Sequence, residues 1–233
     1  MIMPLADEVR TVGHMRITFH RFPDHSSAYS VIERDDGVVY RMKEFTRAGT
    51  ELPHDLRHFV VERELGITNG IWGGIAAGMV YTSMDHVRGR RPPHSAERSD
   101  QLMRAQRQPL MRAELLANLV AAIAMLDDPP AEEIGRLAKV KLSTVPIAEP
   151  GADPAAVDAL PTTEALAAAA RALQAEASCW ARLRPGQELI YQWRQTVPSS
   201  VRSLRTTPRP RDADDRRGPR RMGRRGSRKR IRL

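Results

Sequence analysis

The positive charge of this chain is concentrated in its last 33 residues, and this distribution limits which part of the chain can fold. Residues 201–233 contain 13 arginines and one lysine against three aspartates, a net charge of +11. Residues 1–200 carry a net charge of −2, so the formal net charge of +9 belongs to the C-terminal end. A segment so rich in like charge and so poor in apolar side chains cannot build a core. We therefore predict one folded domain over residues 1–196 and a disordered arginine-rich tail over residues 197–233.

The remaining composition fits a globular domain without disulfide bonds. Hydrophobic residues make up 41% of the chain, which is enough for one core. The single cysteine, Cys179, cannot form an intrachain disulfide, and the N-terminus carries charges where a signal peptide needs apolar residues. No apolar run approaches the roughly 20 residues that span a bilayer. We expect a cytoplasmic protein without a membrane span.

Alternating apolar residues predict a small antiparallel sheet between about residues 15 and 43. The stretch MRITFH places Ile17 and Phe19 on one face, and the strand sequences SAYSVIE and VVYRMK flank the turn DDG. Gly37 in that turn accepts the positive φ that tight hairpins need. The later sequence QELIYQW predicts a final strand over about residues 187–194, which could join the hairpin as an edge.

Helical periodicity predominates between about residues 53 and 183 and predicts a mainly helical body. Within this region, four prolines mark about residues 143–161 as a surface linker. The predicted fold class is therefore α+β, in which the small N-terminal hairpin sheet packs on the helical body.

The stretch LPHDLRHFVVE, which ends at Glu62, predicts a helix that carries a candidate site. Two histidines four residues apart, His54 and His58, can direct both imidazoles at one metal ion. Glu62 lies one turn further along, roughly 6 Å beyond His58, so a third ligand has to come from elsewhere. The candidate site residues are His54, Asp55, His58 and Glu62, and the options for a third ligand are His86, His94, Asp85 and Glu114.

The same spacing has a second interpretation, because H-x-x-x-H also arises by chance in helices. In that interpretation the histidines only hydrogen-bond to neighbouring groups, and the chain is a non-enzymatic structural or interaction protein. Its basic tail would then contact acidic partners or nucleic acid nonspecifically, with a strongly salt-dependent affinity. The chain has neither a G-x-x-x-x-G-K-[ST] nor a G-x-S-x-G motif, so no reaction or substrate is assigned.

A glycine repeat follows the histidine helix in the sequence GIWGGIAAGMVY. Gly70, Gly74 and Gly78 recur at steps of four, although each helical glycine costs about 1 kcal/mol relative to alanine. Three glycines on one helix face predict a close approach of the backbone to another helix or to a ligand. The alternative is a looser glycine-rich bend.

Two resemblances concern this region. The pattern LPHDLRHFVVERELG…GIWGGIAAG resembles a recurrent block in uncharacterised bacterial proteins of this size, for which no activity is known. His54, Asp55 and His58 are also similar to the first half of the H-D-x-x-H zinc motif of ubiquinone-biosynthesis scaffold proteins. That motif continues with a glutamate after eleven residues, and this position falls on Gly70. The resemblance implies a zinc ion at His54 and His58, with an incomplete set of ligands.

Overall fold

The computed structural model describes residues 10–22, 28–43, 52–143, 160–184 and 186–197. The predicted proline-rich linker and the arginine-rich tail lie almost entirely outside these residues. In chain order the elements are β1 (Arg10–Arg21), β2 (Ala28–Arg34), β3 (Val39–Lys43), α1 (His54–Glu64), α2 (Ile71–Ala77), β4 (Met84–Arg88), α3 (Ser95–Ala105), α4 (Arg107–Ala124), α5 (Ala131–Leu142), α6 (Thr163–Ala181) and β5 (Glu188–Val197). These elements confirm the α+β fold class.

The sheet has five antiparallel strands in the order β4-β3-β2-β1-β5. The sequence predicted as the final strand forms β5 and pairs with β1, where Ile17 lies opposite Tyr191. Strand β4 is absent from the sequence-based prediction. Of its five residues only Met84 is buried, so the strand lacks the apolar alternation that identifies a half-buried strand.

The DDG turn joins β2 to β3 as the sequence predicts. Gly37 has φ +77°, and its N–H donates to the carbonyl of Arg34. The two carboxylate oxygens of Asp36 accept hydrogen bonds from the backbone N–H of Val38 and from Nη2 of Arg34. The turn therefore also fixes the position of the Arg34 guanidinium.

Helix α1 packs against the sheet through an aromatic cluster. The Phe59 ring lies 4.8 Å from the Tyr191 ring and 5.8 Å from the rings of Trp72 and Trp193, measured between centroids. Burying a side chain of this size contributes roughly 1.5–3 kcal/mol to stability. With Phe59 fixed in the core, the preceding residue, His58, lies on a side of α1 that meets α4 rather than the sheet.

Helix α4 begins at Arg107, two residues before the proline at which the sequence predicts a break or a helix start. Pro109 lies in the first turn, where a missing N–H removes no helical hydrogen bond. Leu116, Leu119, Val120 and Ile123 of this helix are buried in the core. Among the helices of the described ranges, none combines the length and the apolar character needed to cross a membrane.

Candidate metal site

Three potential metal ligands converge between α1 and α4. Nε2 of His54 lies 3.3 Å from Oε2 of Glu114, and Nε2 of His58 lies 2.9 Å from the same oxygen. One ligand atom from each of these residues lies within 4.8 Å of the other two. Neighbouring ligands of a tetrahedral zinc ion, with bonds of about 2.0–2.1 Å, are about 3.3 Å apart. Small movements of these side chains would therefore direct all three at one ion.

The two histidines differ in their exposure to solvent. His54 is the first residue of α1, and His58 follows one turn later, with 4.5 Å between the ring centroids. The side chain of His58 is 1% exposed, whereas those of His54 and Glu114 are 34% and 45% exposed. The site therefore has a closed side at His58 and a side open to solvent.

Glu62 holds His58 from the closed side and is not one of the three converging groups. Its Oε1 lies 3.3 Å from Nδ1 of His58 and accepts a hydrogen bond of 2.8 Å from the Ile71 N–H. Its Oε2 accepts a hydrogen bond of 3.0 Å from the Trp72 N–H. A proton on Nδ1 of His58 that is donated to Glu62 leaves the lone pair of Nε2 for a metal. Glu62 thus fixes the orientation of the His58 ring.

Gly70 is needed because the Glu62 carboxylate occupies the space next to it. A Cβ atom at position 70 would lie 2.6 Å from both carboxylate oxygens of Glu62, closer than such atoms approach each other. Gly74, the one member of the glycine repeat inside α2, faces Met79, whose sulfur would be 2.7 Å from an added Cβ. Gly78 ends the helix with φ +115°. A different local contact or backbone conformation therefore favours glycine at each of the three positions.

Hydrogen bonds within the cluster shift the pKa of each group. The pKa of His54 is raised to about 9 by hydrogen bonds to Asp55 and Glu114. Burial lowers the pKa of His58, but its hydrogen bonds to Glu114 and Glu62 outweigh burial, and the pKa is raised. The same bonds from His54 and His58 hold the pKa of Glu114 well below its usual range. Without a metal, His54 is therefore protonated at neutral pH and lies beside the ionised Glu114.

Asn118 holds the other oxygen of Glu114, and Arg57 holds Asn118. Nδ2 of Asn118 donates to Oε1 of Glu114 at 2.9 Å, and Nη1 of Arg57 donates to Oδ1 of Asn118 at 3.3 Å. These bonds leave Oε2 of Glu114 directed at the two histidines. The contact between Glu114 and the histidines has no local sequence signal, because α1 and α4 are distant in the chain and meet only when they pack together.

The other options for a third ligand lie apart from the cluster. Nε2 of His86 hydrogen-bonds to the carbonyl of Gly89, and Asp85 pairs with Lys43 at 2.7 Å. His94 precedes α3 in a left-handed conformation with φ +55°. Within the described ranges, the group with metal-ligand geometry consists of His54, His58 and Glu114.

No protein-family model, curated protein or solved structure matches this chain. What the site can do therefore has to follow from its own side chains. Two imidazoles and one carboxylate are donors that zinc accepts, and sites with three protein ligands leave a coordination position for water or substrate. Softer sites that select copper(I) use sulfur ligands, which are absent from this group.

Proposed function

We propose that this protein binds a divalent transition metal, best matched by zinc, through Nε2 of His54, Nε2 of His58 and a carboxylate oxygen of Glu114. The convergence of these three ligands within 4.8 Å carries the proposal. The open side at His54 and Glu114 leaves room for a water molecule or a substrate atom as the fourth ligand. Zinc in such a position acts as a Lewis acid or lowers the pKa of its bound water.

The groups behind the ligands support the proposal. Metal-bound histidines usually donate their second ring N–H to a carboxylate or carbonyl, which fixes the tautomer and the direction of the ring. Glu62 offers this acceptor to His58, and the Asn118 side chain donates a hydrogen bond to the Glu114 carboxylate. Glu62 is itself held by two backbone N–H groups at the start of α2. Two of the three ligands are thus oriented in advance.

The similarity to the H-D-x-x-H zinc motif supports the same site. The glutamate of that motif falls on Gly70, which has no ligand atom. The carboxylate of Glu62, however, lies where the side chain of residue 70 would begin. A carboxylate is therefore present next to residue 70, although it belongs to Glu62 of α1 rather than to residue 70 itself. In this proposal the protein is a cytoplasmic metal-binding domain, whose reaction depends on what occupies the open side.

Elemental analysis of the untagged full-length protein tests the proposal, after zinc is added back and excess metal is removed. We expect about one equivalent of zinc in the wild type and less than about a tenth in the double variant His54→Ala/His58→Ala. Glu114→Gln should bind more weakly than the wild type, because it removes the anionic ligand. His86→Gln is the matched control, since this exposed histidine lies outside the cluster.

Two outcomes would overturn the proposal. The first is a wild-type zinc content below about a tenth of an equivalent after add-back. The histidines would then serve only for packing and hydrogen bonding, as in a non-enzymatic protein. The second is a double variant that keeps its zinc, which would place the metal elsewhere. The basic tail should contribute little to this measurement, because residues 201–233 contain no histidine, cysteine or glutamate and only three aspartates among 14 basic residues.

A further inference from the structure

A cavity of about 520 Å³ lies between α3 and the turn end of the β2–β3 hairpin. Its volume falls within the roughly 300–1,000 Å³ that is typical of small-molecule sites. Arg34 and Tyr40 line it from the hairpin, and Val80 lines it from the segment after α2. The cavity shares no lining residue with the candidate metal site. It is therefore a separate place at which a ligand could bind.

Helix α3 leaves this space open because it packs weakly on the rest of the domain. Ser99 is its one buried residue, and its hydroxyl oxygen accepts a hydrogen bond of 2.9 Å from the Val80 N–H. Arg98, Leu102 and Ala105 follow one another at helical spacing and all line the cavity. The apolar part of this helix face therefore borders a space that no described side chain fills.

The charge of the lining selects the kind of ligand. Arg34 and Arg98 are both in the wall, and none of the described residues that line the cavity carries a carboxylate. Nη2 of Arg34 bonds to Asp36, and Nη2 of Arg98 donates to the carbonyl of Pro93. An arginine has five N–H donors, so each guanidinium keeps donors for a further acceptor. Nε of Arg34 is buried without a hydrogen-bond partner among the described residues.

We propose that this cavity binds an organic anion with an apolar body, of which a medium-chain carboxylate is the simplest form. Arg34 and Arg98 would pair with the carboxylate, because guanidinium and carboxylate form strong charge-assisted hydrogen bonds. The aliphatic chain would lie against Val80, Leu102 and Ala105, whose apolar surface it would remove from water. Binding would also fasten α3 to the domain.

Calorimetric titration of the full-length protein with decanoate, 1-decanol and decyltrimethylammonium tests the proposal. The three probes share a ten-carbon chain and differ in the charge of the head group. The titrations use the His54→Ala/His58→Ala background, so that a carboxylate cannot bind through a metal at the other site. We expect saturable binding of decanoate, with decanol at least about tenfold weaker and the cationic probe weaker still.

Variants assign the binding to this cavity rather than to the basic tail. Arg98→Gln removes one charge, and Ala105→Trp fills space beside the helix; each should weaken decanoate binding at least about tenfold. Arg104→Gln is the matched control on the same helix, at an exposed position outside the lining, and should change the affinity less than about twofold. Arg34→Gln should act like Arg98→Gln, but it also removes a contact in the turn.

Three results would overturn the proposal. One is the absence of saturable decanoate binding to the parent protein. Another is a decanoate affinity that changes as little in Arg98→Gln and Ala105→Trp as it does in Arg104→Gln. Decanoate would then bind at the tail or elsewhere. The third is decanol binding as tightly as decanoate, which would remove the role of charge. Positions 98 and 105 are exposed on α3, so we expect both variants to fold. They test the proposal even if Arg34→Gln fails to fold.

Discussion

The two halves of the candidate metal site are held in place by different means. On the buried half, Glu62 bonds to two backbone N–H groups of α2 and to His58, so folding of the core fixes it. On the exposed half, His54 is held by Asp55 and Glu114, and Glu114 is also held by Asn118. The buried half is therefore built whenever the protein folds, whereas the charges that hold the exposed half depend on pH.

The largest effect is expected from Glu62→Ala on the buried half. This change leaves two backbone N–H groups and one nitrogen of His58 without their acceptor in the core. Breaking a buried pair of this kind typically costs about 3–5 kcal/mol of unfolding free energy. Chemical denaturation measures it, with Glu64→Ala as the control, because Glu64 is on the same helix but exposed. Equal stability of the two variants would show that Glu62 is not a structural anchor.

The exposed half should make zinc binding strongly dependent on pH. Zinc binds neutral imidazole, and the pKa of His54 is raised to about 9. Below this pKa a proton competes with the metal, so affinity should rise by up to about tenfold per pH unit, or roughly 100-fold between pH 7 and 9. This range lies higher than pH 6 to 7, the interval in which an unperturbed histidine would lose its proton. Competition with a chromophoric chelator at a series of pH values measures the affinity.

Asp55→Asn sharpens this test, because the hydrogen bond to Asp55 is the largest cause of the raised pKa of His54. In this variant the pKa should move back towards 6.5, and the steep part of the affinity curve should move to lower pH with it. An affinity that stays constant between pH 7 and 9 in the wild type would mean that His54 does not bind the metal.

Gly70→Ala should reduce the free energy of unfolding by about 1–3 kcal/mol, because the new methyl group collides with the carboxylate of Glu62. In a protein that already carries Glu62→Ala, the collision partner is absent and most of this cost should disappear. A double-mutant cycle measures the difference. Gly135→Ala is the control, since its added Cβ would lie 3.7 Å from Thr163 in ordinary contact. Additive effects of the two substitutions at 62 and 70 would contradict the proposed packing.

The smallest effect concerns the stability of the metal-free protein. The folded state raises the pKa of His54 from 6.5 to about 9, so protonation favours folding. This contribution is fully present below pH 6.5 and is lost as the pH rises through 9. Because His54 is partly exposed, solvent screening limits it to about 1 kcal/mol or less. The thermal midpoint should fall from pH 6.5 to 9 and fall less in His54→Gln, whereas His86→Gln should behave like the wild type.

Local sequence patterns were enough to predict that His54 and His58 lie together, but not that Glu114 joins them. The four-residue spacing placed His54 and His58 on one side of the same helix. The rise per turn also indicated that Glu62 does not share an ion with both histidines. Glu114 was one of four options, because its contact with α1 arises only when two helices distant in sequence pack together.

The reasons for Gly70 and β4 could not be deduced from local patterns. The glycine spacing predicted a close approach of the backbone, but the group that comes close to Gly70 is a carboxylate eight residues earlier in the chain. Strand β4 is an edge strand with four exposed residues, and its pairing with β3 is a tertiary contact without a sequence period. In both cases the deciding interaction is between elements rather than within one.

The exposure of His54 and Glu114 has a consequence for how fast a metal ion would leave the site. A small chelator can reach the ion from the open side while the protein ligands are still bound, so release can pass through a ternary complex. Exchange by this route is faster than spontaneous dissociation from an enclosed site. An ion held by these residues would therefore equilibrate with the zinc available around the protein instead of being trapped at synthesis.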